Sequence, residues 1–271
     1  MTERAAVLGS PVVHSLSPVL HRAAYTALGL DWTYEAIECT ADELPQVLAR
    51  RADWAGFSCT MPLKHAALDV AAHARATAQQ VGAANTLLPA ADGGWIADNT
   101  DVDGVLGALR ERASGWTDAV VLGAGGTAQA VVVALARAGL SELDVLVRDP
   151  SRVVALRDTA ARVGVVLRVH ALDPAAAALG ASLVVSTMPP GAADPLAERA
   201  WTGKQTVLDV VYDPWPTPLA AAASARGASV VSGALMLLHQ AAEQVALMTG
   251  EPAPVNAMRV ALRAAVRAAG V

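Results

Sequence analysis

The sequence predicts a two-domain α/β protein with mostly parallel sheets, and three observations carry that prediction. Short apolar strand patterns alternate with helix patterns along nearly the whole chain, the arrangement that builds α/β folds. At Val120–Ala128 a strand runs through a glycine-rich turn straight into a helix. The chain has 271 residues, enough to bury two cores, and is 54% hydrophobic against 17% charged, which excludes a disordered chain. Alanine and valine supply much of the apolar share while aromatics make up 4%, so the cores are expected to be built from small side chains.

Taken in order, the first hundred residues hold strand patterns at Ala5–Gly9, Thr33–Glu38, Ala55–Cys59 and Thr86–Leu88. A helix is expected from Ser17 as N-cap, with Pro18 at its first position and Gly29 as its stop. Thr40-Ala41-Asp42-Glu43 fits a capping box that opens a second helix. A helix over Val102–Arg112 leads to a polar break at Ser114-Gly115. A second strand series follows at Ala119–Gly123, Leu143–Val147, Val165–Val169, Leu183–Ser186, Val207–Val211 and Ser229–Val231. Helix patterns lie between these strands, among them Thr127–Ala138 closed by Gly139. Helices near Leu235–Thr249 and Val255–Ala269 finish the chain, and with no strand after them they are expected to return to the first domain. The expected domains are residues 1–103 together with 236–271, and residues 104–235.

Net charge is −5 with no basic run, which argues against nucleic acid as a main partner. The two cysteines, Cys39 and Cys59, form no CxxC pair, so neither a disulfide framework nor a zinc site is supported. The apolar stretch after Met1-Thr2-Glu3-Arg4 is too short for a signal peptide. No apolar run reaches the roughly 18 residues a membrane span needs, and the cytoplasm is the expected location.

Gly123, Gly125 and Ala128 fit the G-x-G-x-x-G/A fingerprint of a Rossmann-type dinucleotide-binding domain. Gly123 permits the tight turn, Gly125 lets the backbone approach a pyrophosphate, and Ala128 allows close helix–strand packing. Backbone N–H groups at the helix start then face the phosphates. The next strand ends in Arg148-Asp149-Pro150-Ser151-Arg152, where such folds choose between a ribose hydroxyl and a 2′-phosphate. Arg148 and Arg152 favour the phosphate of NADP. Asp149 leaves NAD open, unless it turns away to cap the following helix.

Four polar clusters follow the strands of the first domain: Ser15 to His21, Ser58 to Lys64, Gly82 to Thr86 and Ala97 to Gly104. Ser15 and Ser17, two residues apart, can both hydrogen-bond a carboxylate. Lys64 follows a buried-strand pattern and so sits at a sheet's carboxyl end, where ligands bind and a partly desolvated lysine suits proton transfer. Asn85 can donate to and accept from a polyol. Asp101 can pair with Lys64 and orient it. The aspartate-rich fourth cluster lacks the downstream glutamate spacing of a calcium loop.

The combination SLSPVLH, TMPLK, AANT, DNTDVDG, GAGGTA, YDPWPTPL and ALMLLHQ resembles the shikimate dehydrogenase family, in order and from Val7 to about Gln244. The resemblance implies that Ser15 and Ser17 bind the shikimate carboxylate, that Tyr212 closes that side, and that Thr60, Asn85, Asp101 and Gln240 bind ring hydroxyls. It implies Lys64 as general acid/base with Asp101 as partner, and no metal. Gly123, Ala124, Gly125, Gly126, Thr127, Ala128, Arg148, Arg152, Thr187 and Gly233 would line NADP, with Met188 and Met236 near the nicotinamide. It implies reversible NADP-dependent reduction of 3-dehydroshikimate to shikimate on the way to chorismate and the aromatic amino acids. The substrate would be the main partner, in a monomer or homodimer. Arg22, Val147 and Asp149 depart from the residues common in the family. The competing readings are an NAD-dependent quinate/shikimate dehydrogenase, an amino-shikimate dehydrogenase, and a non-catalytic ligand-sensing relative. Retention of Lys64 and Asp101 argues against the last.

Overall fold

A computed structural model describes residues 2–112 and 115–268, with the side chains of Arg152 and Ala268 left out. Ser114 of the expected polar break, Ala269 at the expected end of the last helix, and the side chain of Arg152 therefore lie outside the described residues. The chain forms two compact units: one holds residues up to Asp101 and again from Leu237, the other runs Val102–Met236.

In the first unit, β1 (Glu3–Gly9), β2 (Trp32–Glu38), β3 (Gly56–Cys59), β4 (His73–Ala74), β5 (Thr86–Pro89) and β6 (Trp95–Asp98) form one sheet, ordered β2-β1-β3-β5-β6-β4. Only β5 runs against its neighbours, β3 and β6. Strand alternation sorts β1 between two cores: Ala6 and Leu8 pack with Phe57, Leu63 and Leu87, while Ala5 and Val7 pack with Tyr25, Tyr34 and Leu88. Burial on both faces is why β1 reads as a continuous apolar run. The helices of this unit are α1 (Ser17–Leu28), α2 (Leu44–Ala49), α3 (Lys64–Asp69) and α4 (Ala76–Val81). Helix α5 (Asp101–Arg112) carries the chain into the second unit.

The second unit is a parallel sheet of β7 (Ala119–Leu122), β8 (Glu142–Val147), β9 (Val166–Ala171), β10 (Leu183–Ser186), β11 (Thr206–Asp209) and β12 (Ser229–Ser232). Its order, β12-β11-β10-β7-β8-β9, is that of a doubly wound dinucleotide-binding fold, with strand order reversing between β7 and β10. Helices α6 (Gly126–Arg137), α7 (Val154–Arg162) and α8 (Pro218–Ala225) connect the strands. Helix α9 (Gly233–Thr249) leaves this unit, and α10 (Val255–Ala268) packs against α1 in the first.

Several expectations need correction. Ser17 is not an N-cap. Leu16 holds that place without a side-chain cap, Ser17 is the first helical residue, and its N–H donates to Ser15 Oγ at 3.3 Å. Gly29 does end α1 in a left-handed conformation, at φ 68°. The Thr40–Glu43 turn forms, with Thr40 N–H donating to Glu43 Oε2 at 2.9 Å. The Thr40 hydroxyl, however, donates to the same carboxylate instead of accepting from the backbone, so α2 starts only at Leu44. Strands β4 and β6 and helices α3 and α4 were not expected from the sequence.

Candidate active site

The polar clusters of the first unit converge because of strand direction. The loop after β1 carries Ser15 and leads into Ser17 at the start of α1, the loop after β3 carries Thr60 and leads into Lys64, and the loop after β6 leads into Asp101. These three strands are parallel, so all three loops leave one edge of the sheet. Antiparallel β5 starts at that edge, which brings in Asn85 just before it.

Lys64 opens α3 and Asp101 opens α5. Lys64 Nζ donates to Asp101 Oδ2 at 2.5 Å, with side chains only 17% and 7% exposed. The other carboxylate oxygen, Oδ1, accepts from Asn85 Nδ2 at 2.9 Å. Asn85 Nδ2 also lies 3.0 Å from Thr100 Oγ1 and 3.2 Å from Gln240 Oε1. Asn85 Oδ1 accepts from the Thr100 N–H and the Thr86 hydroxyl, both at 2.8 Å. Asn99 steadies the turn into α5, accepting from the Asp101 N–H at 3.1 Å and donating to Ala83 O at 2.8 Å. Lys64, Asn85, Asp101 and Gln240 thus form one hydrogen-bonded group. An ion pair with little solvent screening is held tightly, and a lysine so held can exchange a proton with a hydroxyl placed beside it.

Ser15 is half-buried and Ser17 is 5% exposed, joined by the bond from Ser17 N–H. With no capping duty, the Ser17 hydroxyl is available to a ligand. Half-buried Thr60 stands against Gly9, where an added Cβ would collide with Thr60 Cγ2. Tyr212 belongs to the second unit and is half-buried.

In the second unit, the turn after β7 is made by backbone. Gly123 has φ +105°, and a Cβ there would meet Thr187 Oγ1 at 2.7 Å. Thr187 spans the switch point: its N–H and hydroxyl both donate to Leu122 O, at 2.9 and 2.8 Å. A Cβ on Gly125 would meet nothing within 4 Å, so open space lies over that backbone. Gly126 and Thr127 begin α6, half-buried Ala124 precedes them, and Ala128 is fully buried, as helix–strand contact requires. Gly233 starts α9, where a Cβ would collide with Val210 O. Met188 and Met236 are each 6% exposed, and Met188 packs in the core with Val120 and Leu146. Arg148 is exposed at the end of β8. Asp149 caps the short turn Pro150–Val153, its Oδ1 accepting from Ser151 N–H at 2.9 Å and Ser151 Oγ at 2.6 Å. The carboxylate that left NAD open is thus engaged in local capping.

Reading the sequence by motif overlooked Gln244. It is fully buried, donating to Asn85 O at 3.1 Å and to Thr86 Oγ1 at 3.0 Å. Its place four residues after Gln240 on α9, hence on the same face, was the available signal.

Comparison with known proteins gives a consistent result. The shikimate dehydrogenase substrate binding domain matches residues 7–87, and the shikimate 5'-dehydrogenase C-terminal domain matches residues 233–263. The chain is 40% identical to a shikimate dehydrogenase (NADP(+)) of Rubrobacter xylanophilus, over 96% of this chain and 95% of that one. It is similar to the crystal structure of Mycobacterium tuberculosis shikimate dehydrogenase, with 50% identity, a TM-score of 0.86, and 97% and 99% of the two chains covered. A structure of shikimate 5-dehydrogenase from Thermus thermophilus in complex with NADP(H) and shikimate matches at 37% identity and a TM-score of 0.83, covering 97% of this chain and 100% of that one.

Proposed function

The chain belongs to the shikimate dehydrogenase family, and from that premise we propose how its own residues perform NADP-dependent reduction of 3-dehydroshikimate to shikimate. The observation that carries the reading is the Lys64–Asp101 pair inside a buried amide and hydroxyl network. Lys64 is the proton-transfer residue. It takes the proton of the substrate's 3-hydroxyl in the oxidative direction and returns one to that oxygen in the reductive direction. Asp101 holds the ammonium in place and binds a ring hydroxyl alongside Asn85, Thr60 and Gln240. Ser15 and Ser17 hold the substrate carboxylate.

The residues of the second unit fit a dinucleotide phosphate. The free space over Gly125 admits a pyrophosphate to the N–H groups of α6, and Arg148 at the end of β8 suits a 2′-phosphate. Ala124, Thr127, Thr187 and Gly233 complete the cradle, and Met188 and Met236 flank the nicotinamide. When bound, NADP(H) supplies the hydride acceptor or donor. We read residues 1–103 with 236–271 as the substrate domain and 104–235 as the dinucleotide domain. Among the described residues no helix is long and apolar enough to cross a membrane. We propose a cytoplasmic monomer or homodimer; free, buried Cys39 and Cys59 suit a reducing compartment.

A matrix of kcat/KM for shikimate and quinate, each with NADP and NAD, tests the assignment. Shikimate with NADP is expected to lead, because the chain keeps Ser17, which relatives that accept quinate tend to replace with threonine or glycine, and because Asp149 is occupied with Ser151. Equal turnover of quinate, or a preference for NAD, would contradict the proposed roles of Ser17 and Asp149.

A further inference from the structure

Behind the reacting pair lies a chain of buried hydrogen bonds with a single direction. Tyr34 OH donates to Ser58 Oγ at 2.5 Å, and Ser58 Oγ donates to Gln244 Oε1 at 2.8 Å. His21 Nε2 approaches the same Oε1 at 3.4 Å, and Tyr25 OH lies 3.4 Å from His21 Nδ1. Complete burial holds the His21 pKa down to about 3, so the ring is neutral and carries one proton. Because Gln244 Oε1 only accepts, that proton sits on Nε2, and Nδ1 accepts from Tyr25. The backbone carbonyl of Asn85 can only accept, so the end of the Gln244 amide facing it is the nitrogen, and Oε1 is the end that accepts from Ser58. Gln244 Nε2 therefore points at Asn85 O and Thr86 Oγ1. The Thr86 hydroxyl, accepting from Gln244, donates in turn to Asn85 Oδ1 at 2.8 Å. Together with the Thr100 N–H, which donates to the same Oδ1 at 2.8 Å, this sets the Asn85 amide with Nδ2 toward Asp101 Oδ1.

We propose that Gln244 is a positioning residue: through Thr86 and the Asn85 backbone it reinforces, alongside the Thr100 N–H, the orientation of the Asn85 amide at Asp101 and the substrate. This inference rests on the substrate role assigned above to Asn85. Leu238, Ala241 and Val245 of the same helix are fully buried and apolar, and a packing role alone would be met by an apolar side chain at 244. A buried amide costs free energy unless every group is satisfied. Here each partner of Gln244 lies on the path to Asn85 or on the donors that orient the amide. Hydrogen bonds aligned in one sense also polarise one another, strengthening the last bond at the carboxylate.

A double-mutant cycle in the full-length enzyme tests the proposal. Gln244→Met keeps the volume and removes the amide. It is expected to lower kcat/KM for shikimate by about tenfold, with the KM for NADP changed less than about twofold, and in an Asn85→Ala background the same change should cost less than about twofold. An equal loss in both backgrounds, or a Gln244→Met enzyme as active as wild type, overturns the proposal. If Asn85→Ala alone keeps wild-type kcat/KM, the substrate role of Asn85 fails as well, so the two failures are distinguishable. Ser58→Ala removes one orienting donor while keeping Gln244. Should the methionine variant not fold, it carries the same cycle: about a threefold loss is expected, again cancelled by Asn85→Ala, and an uncancelled loss or none overturns the proposal.

Discussion

The two units build their sites from different materials. In the first, the site is side chains: Lys64, Asp101, Asn85 and Gln240 hold one another at hydrogen-bond distance, backed by Gln244 and Ser58. In the second, it is backbone: Gly123 and Gly233 leave no room for a Cβ, and Thr187 ties the turn to Leu122 O. Proton transfer and polyol recognition need specific atoms in specific orientations, which only side chains supply. A pyrophosphate needs an array of N–H groups that nothing obstructs, which a helix start and a glycine turn supply without chemistry of their own. The first site is therefore vulnerable to changes of atom type at constant volume. The second is vulnerable to changes of volume, even by one methyl group.

The largest effect that would sharpen this contrast is expected from Asp101→Asn, which alters one atom type and no volume. It takes the carboxylate from Lys64 and is expected to lower kcat by about a hundredfold or more, read by steady-state assay with thermal unfolding as a control for folding. A variant within about threefold of wild type would break the account of the pair. Next comes Gly123→Ala, which adds one methyl group at φ +105° and 2.7 Å from Thr187 Oγ1. The KM for NADP is expected to rise about tenfold while the KM for shikimate changes little, because the strain falls on the cofactor turn. A rise in the shikimate KM of similar size would erase the proposed division of labour.

The smallest effect concerns stability. Burial depresses His21 to about 3 from its ordinary 6.5, so as pH falls the unfolded chain takes up a proton before the folded one does. Stability from this residue is full above the unfolded value and drains away as pH drops toward the folded one. Between pH 7.5 and pH 5 the loss should be about 2 kcal/mol. Urea unfolding at both pH values should show that loss in the wild type and a correspondingly smaller one in His21→Gln. An equal loss in both proteins would mean that His21 is not held neutral.

Much of the fold could be read from local pattern, and the exceptions have physical reasons. Strand β10 falls on the expected Leu183–Ser186, because a central strand buried on both faces leaves an uninterrupted apolar run. Strand β6 escapes a pattern reading because its four residues run directly into Asn99-Thr100-Asp101, which reads as loop. The Asp92-Gly93-Gly94 turn before it, with Gly93 at φ +86°, was the hairpin signal that could have revealed it. At the site, motif spacing brought Lys64 and Asp101 to notice, but their separation in sequence says nothing of the 2.5 Å between them. Gln244 stayed hidden because its partners, Ser58, Thr86 and Asn85, come from distant strands. The capping role of Asp149 needed the actual turn to resolve which way the carboxylate faces.

The central claim is that Lys64 moves the proton within a preorganised group of side chains. It is tested most directly by single-turnover oxidation of shikimate by Lys64→Ala with saturating NADP. The account predicts a rate lower by about 10²–10⁴ with shikimate affinity changed much less. A rate within about threefold of wild type would remove Lys64 from the mechanism and contradict the account.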